Sequence, residues 1–231
     1  MIEFFSTIKG VAESYPIIPA KKAIPEWVKS ARNEMTNTLN VAKCPGIFEL
    51  FATGYVVQSP WDVEIVSTDD KLEAFLNPVM EELLGKPPAQ IQRGDSVSKH
   101  IPKKPWSNKH ILKLNTPWHV KSKYKLMMLP LAYSDRQDFE SAMGILDPSV
   151  SSEINIQGYV NFIGRRTIKA GETLCHLIPM TDNRLDLIVR DMNKDDESWV
   201  KKKKFLDNNV FELNKNLIRK MYNTFIGKKK D

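Results

Sequence analysis

The chain is poor in the residues that carry most catalytic chemistry. It has 2 cysteines, Cys44 and Cys175, and 4 histidines, His100, His110, His119 and His176, in 231 residues. Two isolated cysteines exclude a disulfide framework. Both lie in apolar contexts, where a buried, inert thiol is expected. No C-x-x-C and no H-E-x-x-H occurs, and no two histidines are spaced by two as in the His-x-His strand of a cupin-like site. The G-x-S-x-G elbow of α/β-hydrolases is missing, as are the G-x-x-x-x-G-K-[ST] and G-x-G-x-x-G phosphate loops. No apolar run approaches the ~20 residues of a membrane-spanning helix. The opening residues, MIEFFSTIKGVAESYP, carry no basic stretch followed by an apolar one, so no signal peptide is expected. Internal repeats and low-complexity segments are absent too.

What is present points to a globular β protein. Hydrophobic residues make up 42% and charged residues 27%, enough to bury a core without staples. The most informative stretch is Tyr159 to Met180, YVNFIGRRTIKAGETLCHLIPM. Lys169-Ala170-Gly171-Glu172 reads as a type II turn, with Gly171 supplying the positive φ at its third position. Beyond it, Thr173 to Ile178 is apolar on both faces until Pro179 removes a ladder donor, as in a strand buried between layers. Leu174, His176 and Ile178 fall on one face; Thr173, Cys175 and Leu177 fall on the other. Cys175 and His176 therefore point apart and cannot form a nucleophile–base pair.

Elsewhere the pattern is of short strands separated by turns. Trp61–Val66 alternates, Ser67-Thr68-Asp69-Asp70 is turn chemistry, and Lys71–Leu76 returns as a hairpin partner. Further strands are expected at Ile111–Leu114, Trp118–Val120, Tyr124–Leu131, Ile154–Ile163, Ile168–Ile178 and Leu185–Val189. Residues 77–109 are the least regular, apart from a short helix over Val79–Leu84. The fold class expected is mainly β: an antiparallel β-sandwich or jelly roll with short N-terminal helices and a C-terminal helical segment. It divides into residues 1–54, a Pro-rich arm and short helices packed on the core; 55–192, the antiparallel core; and 193–231, C-terminal helices and a basic tail. In the first part, Tyr15-Pro16-Ile17-Ile18-Pro19 is extended, Pro25 and Pro45 each open a helix, and Gly54 stops the second. In the last part, Asp195 or Asp196 caps a short helix through Leu206. A longer one follows with the apolar stripe Val210, Leu213, Leu217, Ile218, Met221, Tyr222 and Phe225, which must lie on the sheet or on another subunit.

The net charge is +6, concentrated in lysine clusters. Lys121, Lys123 and Lys125 alternate on what reads as one strand face, and Lys201, Lys202, Lys203 and Lys204 form a run. These are the candidates for nucleic-acid contact; a solvated sandwich face and helix explain them equally well. For metal, His119 and His176 meeting across strands with Asp62 is the arrangement to examine. The competing expectation is that His176 is a core histidine satisfied by a hydrogen bond.

Two resemblances add to this. IKAGETLCHLI is similar to the β-turn-β near the end of trimeric dUTPases and dCTP deaminases, but the Tyr-Ala-Gly-x-Ile-Asp hairpin of that family has no counterpart, so the likeness implies sandwich geometry alone. Lys22-Ala23-Ile24-Pro25-Glu26-Trp27, Lys43-Cys44-Pro45-Gly46-Ile47, Gly54-Tyr55 and Lys169 through Pro179 resemble a protein family of contractile-tailed marine phages, cyanophages among them. That resemblance implies a basic bacteriophage protein, a virion structural or assembly component acting through protein–protein contacts and put together in the host cytoplasm. It supplies no catalytic residue and no cofactor. Its partners would be other virion proteins or copies of itself, with possible nucleic-acid contact and no membrane. Tyr15, Ile17, Ile18, Trp27, Trp106, Leu217, Met221 and Phe225 are the contact candidates. The alternatives are a cupin-like metal-dependent enzyme and a nucleic-acid-binding accessory protein.

Overall fold

A computed structural model describes residues 1–33, 43–94, 104–134 and 138–203. Its strands are β1 (Ile2–Ser6), β2 (Ile18–Pro19), β3 (Tyr55–Gln58), β4 (Val63–Ser67), β5 (Leu72–Phe75), β6 (Ala89–Gln92), β7 (Ile111–Lys121), β8 (Leu126–Leu129), β9 (Phe139–Ser141), β10 (Gly144–Leu146), β11 (Glu153–Val160), β12 (Gly164–Ile168), β13 (Thr173–Pro179) and β14 (Leu187–Asp191). The helices are α1 (Val11–Ser14), α2 (Glu26–Asn33), α3 (Pro45–Ala52) and α4 (Pro78–Leu84), with a 3-10 turn at Ala20–Lys22 and a further helix over residues 194–203. The chain is thus mainly β, with short N-terminal helices and a C-terminal helical segment.

Three sheets surround one core. A six-stranded sheet runs β14-β1-β7-β11-β9, with β6 also on β7; a five-stranded sheet runs β10-β8-β13-β3-β2; a three-stranded sheet runs β12-β4-β5. Among the described strands only β1 and β14 pair in parallel. Ile2, Phe4, Leu112, Trp118, Ile154 and Ile156 from the first sheet, Val57, Leu126, Cys175 and Leu177 from the second, and Val63, Ile65, Leu72 and Ile168 from the third belong to a single buried cluster. Val28 and Phe51 form a second, small cluster between α2 and α3.

The expected hairpin is present. β4 and β5 pair with Ser67 opposite Leu72, closed by a hydrogen bond from Thr68 N–H to Lys71 O of 2.8 Å. The turn at 169–172 also forms, with Gly171 at φ 85° and Glu172 N–H 3.1 Å from Lys169 O. It does not close a hairpin. β12 before it pairs with β4, whereas β13 after it pairs with β3 and β8, so the turn carries the chain from one sheet to another. β13 is buried on both faces, as its sequence required.

Several expectations need correction. The two strands placed at 111–114 and 118–120 are one, β7, running through Pro117. The register against β11 shifts at Glu153/Asn155, and in that irregularity Pro117 needs no ladder donor. The stretch 85–109 is not wholly irregular: β6 pairs with β7, and the part from 95 to 103 lies outside the described residues. The strand at 185–189 starts later, at Leu187, and finds its partner in β1, which the N-terminal sequence did not announce. The first 54 residues are therefore more than an arm, since β1 sits inside the largest sheet. Cys175 is buried, but Cys44 is exposed because it is the residue that enters α3, outside the core.

α3 ends at Ala52, and Gly54 lies just past its cap Thr53 with φ 82°. A Cβ built there would stand 2.3 Å from Leu177 O, and its carbonyl accepts from Ala20 N–H at 2.9 Å. Gly54→Ala is expected to lower unfolding free energy by about 3 kcal/mol through left-handed strain and backbone collision. Urea denaturation followed by circular dichroism measures this; a loss under about 0.5 kcal/mol, the range of neutral surface changes, contradicts it.

Candidate functional site

The chemically richest point is a charge cluster built by four distant segments. Asp196 is fully buried. One of its carboxylate oxygens meets Lys121 Nζ from β7; the other lies 2.5 Å from the Arg190 guanidinium of β14. Arg190 Nε also donates to Glu3 of β1 at 2.6 Å. Aromatic rings enclose the cations. Lys121 Nζ stands 5.0 Å from the ring centres of both Phe5 and Trp199, and the Phe5 ring stacks on His119 at 5.3 Å. Burial alone would push the Asp196 carboxyl up. Arg190, the Asn193 N–H and Lys121 outweigh it and hold the group well below the usual carboxylate range.

This cluster also caps the helix at 194–203. Asn193 N–H donates to Asp196 at 2.8 Å, and Asp196 N–H donates to Asn193 Oδ1 at 3.1 Å, a reciprocal capping box. The cap is therefore Asn193 rather than Asp195 or Asp196. Asp196 is its third-position partner.

The three metal candidates are not brought together. His119 belongs to β7 and His176 to β13, strands of different sheets. His119 Nδ1 is 3.0 Å from Ser152 Oγ. Asp62 lies on the surface, bonded to Lys169 Nζ at 2.8 Å and Ala170 N–H at 2.9 Å, where it staples the sheet-crossing turn. Among the described residues no group of three or more His, Cys, Asp or Glu side chains is placed to hold a metal ion.

His176 forms the floor of a cleft on the outer face of the five-stranded sheet. The cleft has a volume of about 540 Å³, and its apolar lining includes Ala20, Ala23, Phe51, Val56, Leu131 and Ala132. His176 Nε2 donates to Thr53 O at 2.6 Å, in the neutral tautomer that this carbonyl selects. Burial lowers its pKa, with the Thr53 carbonyl opposing. Cys175 faces the opposite, core side, and burial pushes its thiol up. The rim is held by α2: Trp27 Nε1 donates to Tyr133 O at 2.9 Å, and the two rings meet edge to face. Tyr133 has φ 52°, the left-handed region that a bulky residue rarely occupies. The lining is mixed: beside the apolar residues and the neutral imidazole stand Ser134, Asp138, Thr167, Glu172 and Thr173.

The lysines do not form one stripe. Lys121 is the last residue of β7 and is held in the charge cluster; Lys123 and Lys125 lie in the turn before β8. Lys123 Nζ sits 4.9 Å above the Tyr124 ring, and Lys125 pairs with Asp147 at 3.0 Å. Lys201 and Lys202 are exposed, Lys203 donates to Ser149 O at 2.6 Å, and Lys204 lies outside the described residues.

Of the contact candidates, Ile17 is buried in the chain's own core, and Ile18 pairs β2 to β3. Tyr15 is half-buried beside Gly171, and Trp27 is committed to Tyr133. Trp106 remains exposed, with its ring edge-on to Tyr159 at 6.2 Å. Leu217, Met221 and Phe225 lie outside the described residues. Sequence reasoning missed the Asp196 cluster altogether; the only local signal was the Asn-x-x-Asp spacing of the capping box. Among the described residues no helix is long and apolar enough to cross a membrane. No family model and no curated protein matches the chain.

The buried groups set the acid stability. Glu153 is raised by burial but held down at about 2 by Lys86, 2.7 Å away, and by Asn155. Asp196 and Glu153 both titrate lower folded than unfolded, so their stabilisation is present above pH ~4.5 and lost as pH falls toward 2. His176 is also lowered, so the unfolded chain takes up its proton first and stability starts to fall below pH ~6.5. Melting temperature against pH is expected to decline in two steps. Asp196→Asn should cost about 3 kcal/mol at pH 7 and flatten the lower step; an unchanged lower step contradicts the assignment.

Proposed function

We propose that the protein is a structural or assembly component of a contractile-tailed phage virion that acts through protein–protein contacts. Its source rests on the resemblance carried by residues 22–27, 43–47, 54–55 and 169–179. Its mode of action rests on one observation, the apolar surface at the end of the β4–β5 hairpin. Phe75, Val79 and Leu83 are 50%, 51% and 51% exposed. Val79 and Leu83 share one face of α4, and α4 has no buried residue.

A helix this short does not hold itself together in water. α4 is fastened at its ends, by the Asn77 side chain accepting from Val79 N–H at 3.1 Å and by Gly85 in the left-handed conformation. An apolar face maintained in this way on a short capped helix is the mark of a contact surface. Neighbouring virion proteins or further copies of the chain are the partners such a face suits.

Mass spectrometry of purified particles is expected to find the chain at stoichiometric level. The Val79→Glu/Leu83→Glu variant should keep its melting temperature, because both positions are exposed, yet be lost from particles. Absence of the wild-type chain from particles, or full incorporation of the variant, overturns the reading.

A further inference from the structure

The cleft over His176 holds an acceptor to which the protein supplies no donor. His176 is 4% exposed, and its Nε2–H donates to Thr53 O at 2.6 Å. In that tautomer Nδ1 carries a lone pair. No described group donates to it. Nor is it sealed away: among the described residues, the side-chain atoms both unpartnered and closed to solvent are Trp118 Nε1 and Asn155 Oδ1. His176 lines the cleft, so Nδ1 opens into it. Burial lowers the ring's affinity for a proton, which keeps the lone pair available near neutral pH. An acceptor on a nine-tenths buried side chain, open only to a cavity, marks a place for a ligand's donor.

The rest of the lining says what that donor is attached to. Ala20, Ala23, Phe51, Val56 and Leu131 give the cleft apolar walls. Its volume of about 540 Å³ falls inside the ~300–1,000 Å³ range of small-molecule sites. Asp138 and Glu172 add two carboxylates, and no lysine or arginine belongs to the described lining. Carboxylates beside an apolar cavity attract a cation and repel an anion. The imidazole acceptor discriminates in the same sense. It takes an N–H and turns away a carboxylate or phosphate oxygen, which would set lone pair against lone pair. Floor, carboxylates and walls agree on one chemistry, a protonated amine on an apolar body.

We infer that this cleft binds a small organic amine, whose N–H donates to His176 Nδ1 and whose charge is balanced by Asp138 and Glu172. The site lies within a single chain and is independent of the virion reading.

Tryptamine is the probe, titrated into the purified full-length chain carrying nitrogen-15-labelled histidine. It is expected to bind with a dissociation constant below about 1 mM. The His176 Nδ1 resonance should move as that nitrogen accepts a hydrogen bond. Uncharged indole-3-ethanol should bind about tenfold more weakly, and the anion indole-3-acetate more weakly still. Asp138→Asn/Glu172→Gln should weaken tryptamine by about tenfold and leave indole-3-ethanol unchanged. Ala132→Trp fills the cleft from a half-buried position and should abolish binding at an unchanged melting temperature. Should these variants fail to fold, the wild-type titration decides alone. No binding of tryptamine overturns the inference. So does saturation with the Nδ1 resonance unmoved, which places the amine elsewhere, and so does equal affinity for tryptamine and indole-3-acetate.

Discussion

Burying one carboxylate sets the terms for the rest of the molecule. Asp196 has no exposed surface, and an ion there is tolerable only if opposite charges and hydrogen bonds replace its water. Arg190, Lys121 and the Asn193 N–H supply them, and each comes with an element attached. Lys121 brings the end of β7, Arg190 brings β14, and Glu3 on the far side of Arg190 brings β1. The helix at 194–203 then has a defined start and a defined seat. Removing any one partner of such a cluster is costly, because it strands the remaining charge away from water. Asp191 repeats the logic nearby, accepting from Gly10 N–H at 2.6 Å and Ala12 N–H at 3.1 Å and so anchoring α1 to β14.

The core depends on how one stretch of chain is shared out. β11, β12 and β13 follow one another in sequence, yet each lies in a different sheet. The crossing from β12 to β13 is made by the turn at Gly171 and braced by Asp62 on Lys169 and Ala170. A single long strand there would have left the three sheets without a common core. Distributing the residues lets Ile156, Ile168 and Leu177 meet in one cluster.

The same economy shapes the surface. Sheet faces turned away from the core carry apolar side chains at β3, β13, β8 and β10, and the N-terminal helices cover only the first two. His176 lies under that cover, neutral and bonded to a carbonyl, which fixes its tautomer at the floor of the cleft. The acidic limb of stability and the outer packing thus have separate origins: buried ions hold the six-stranded sheet, and the N-terminal helices cover part of the five-stranded one.

Local chemistry was legible in the residues alone. The hairpin of Trp61–Val66 with Lys71–Leu76, the turn at Gly171 and the double-faced strand beyond that turn, the prolines opening α2 and α3, and the stop at Gly54 all followed from φ preferences, missing donors and side-chain alternation. These are short-range constraints, satisfied within a few residues. Pairing was not legible. β1 read as an unremarked N-terminus because its partners, Lys121 and Leu187, are remote in sequence. Lys121, Lys123 and Lys125 looked like one basic face until the chain turned after Lys121 and Asp196 claimed it. His119, His176 and Asp62 were plausible together only while the sheets were unassigned. Residue type and spacing decide which conformations a segment tolerates; which segments become neighbours is decided by burying charge and apolar area across the whole chain, and that balance exists only in three dimensions.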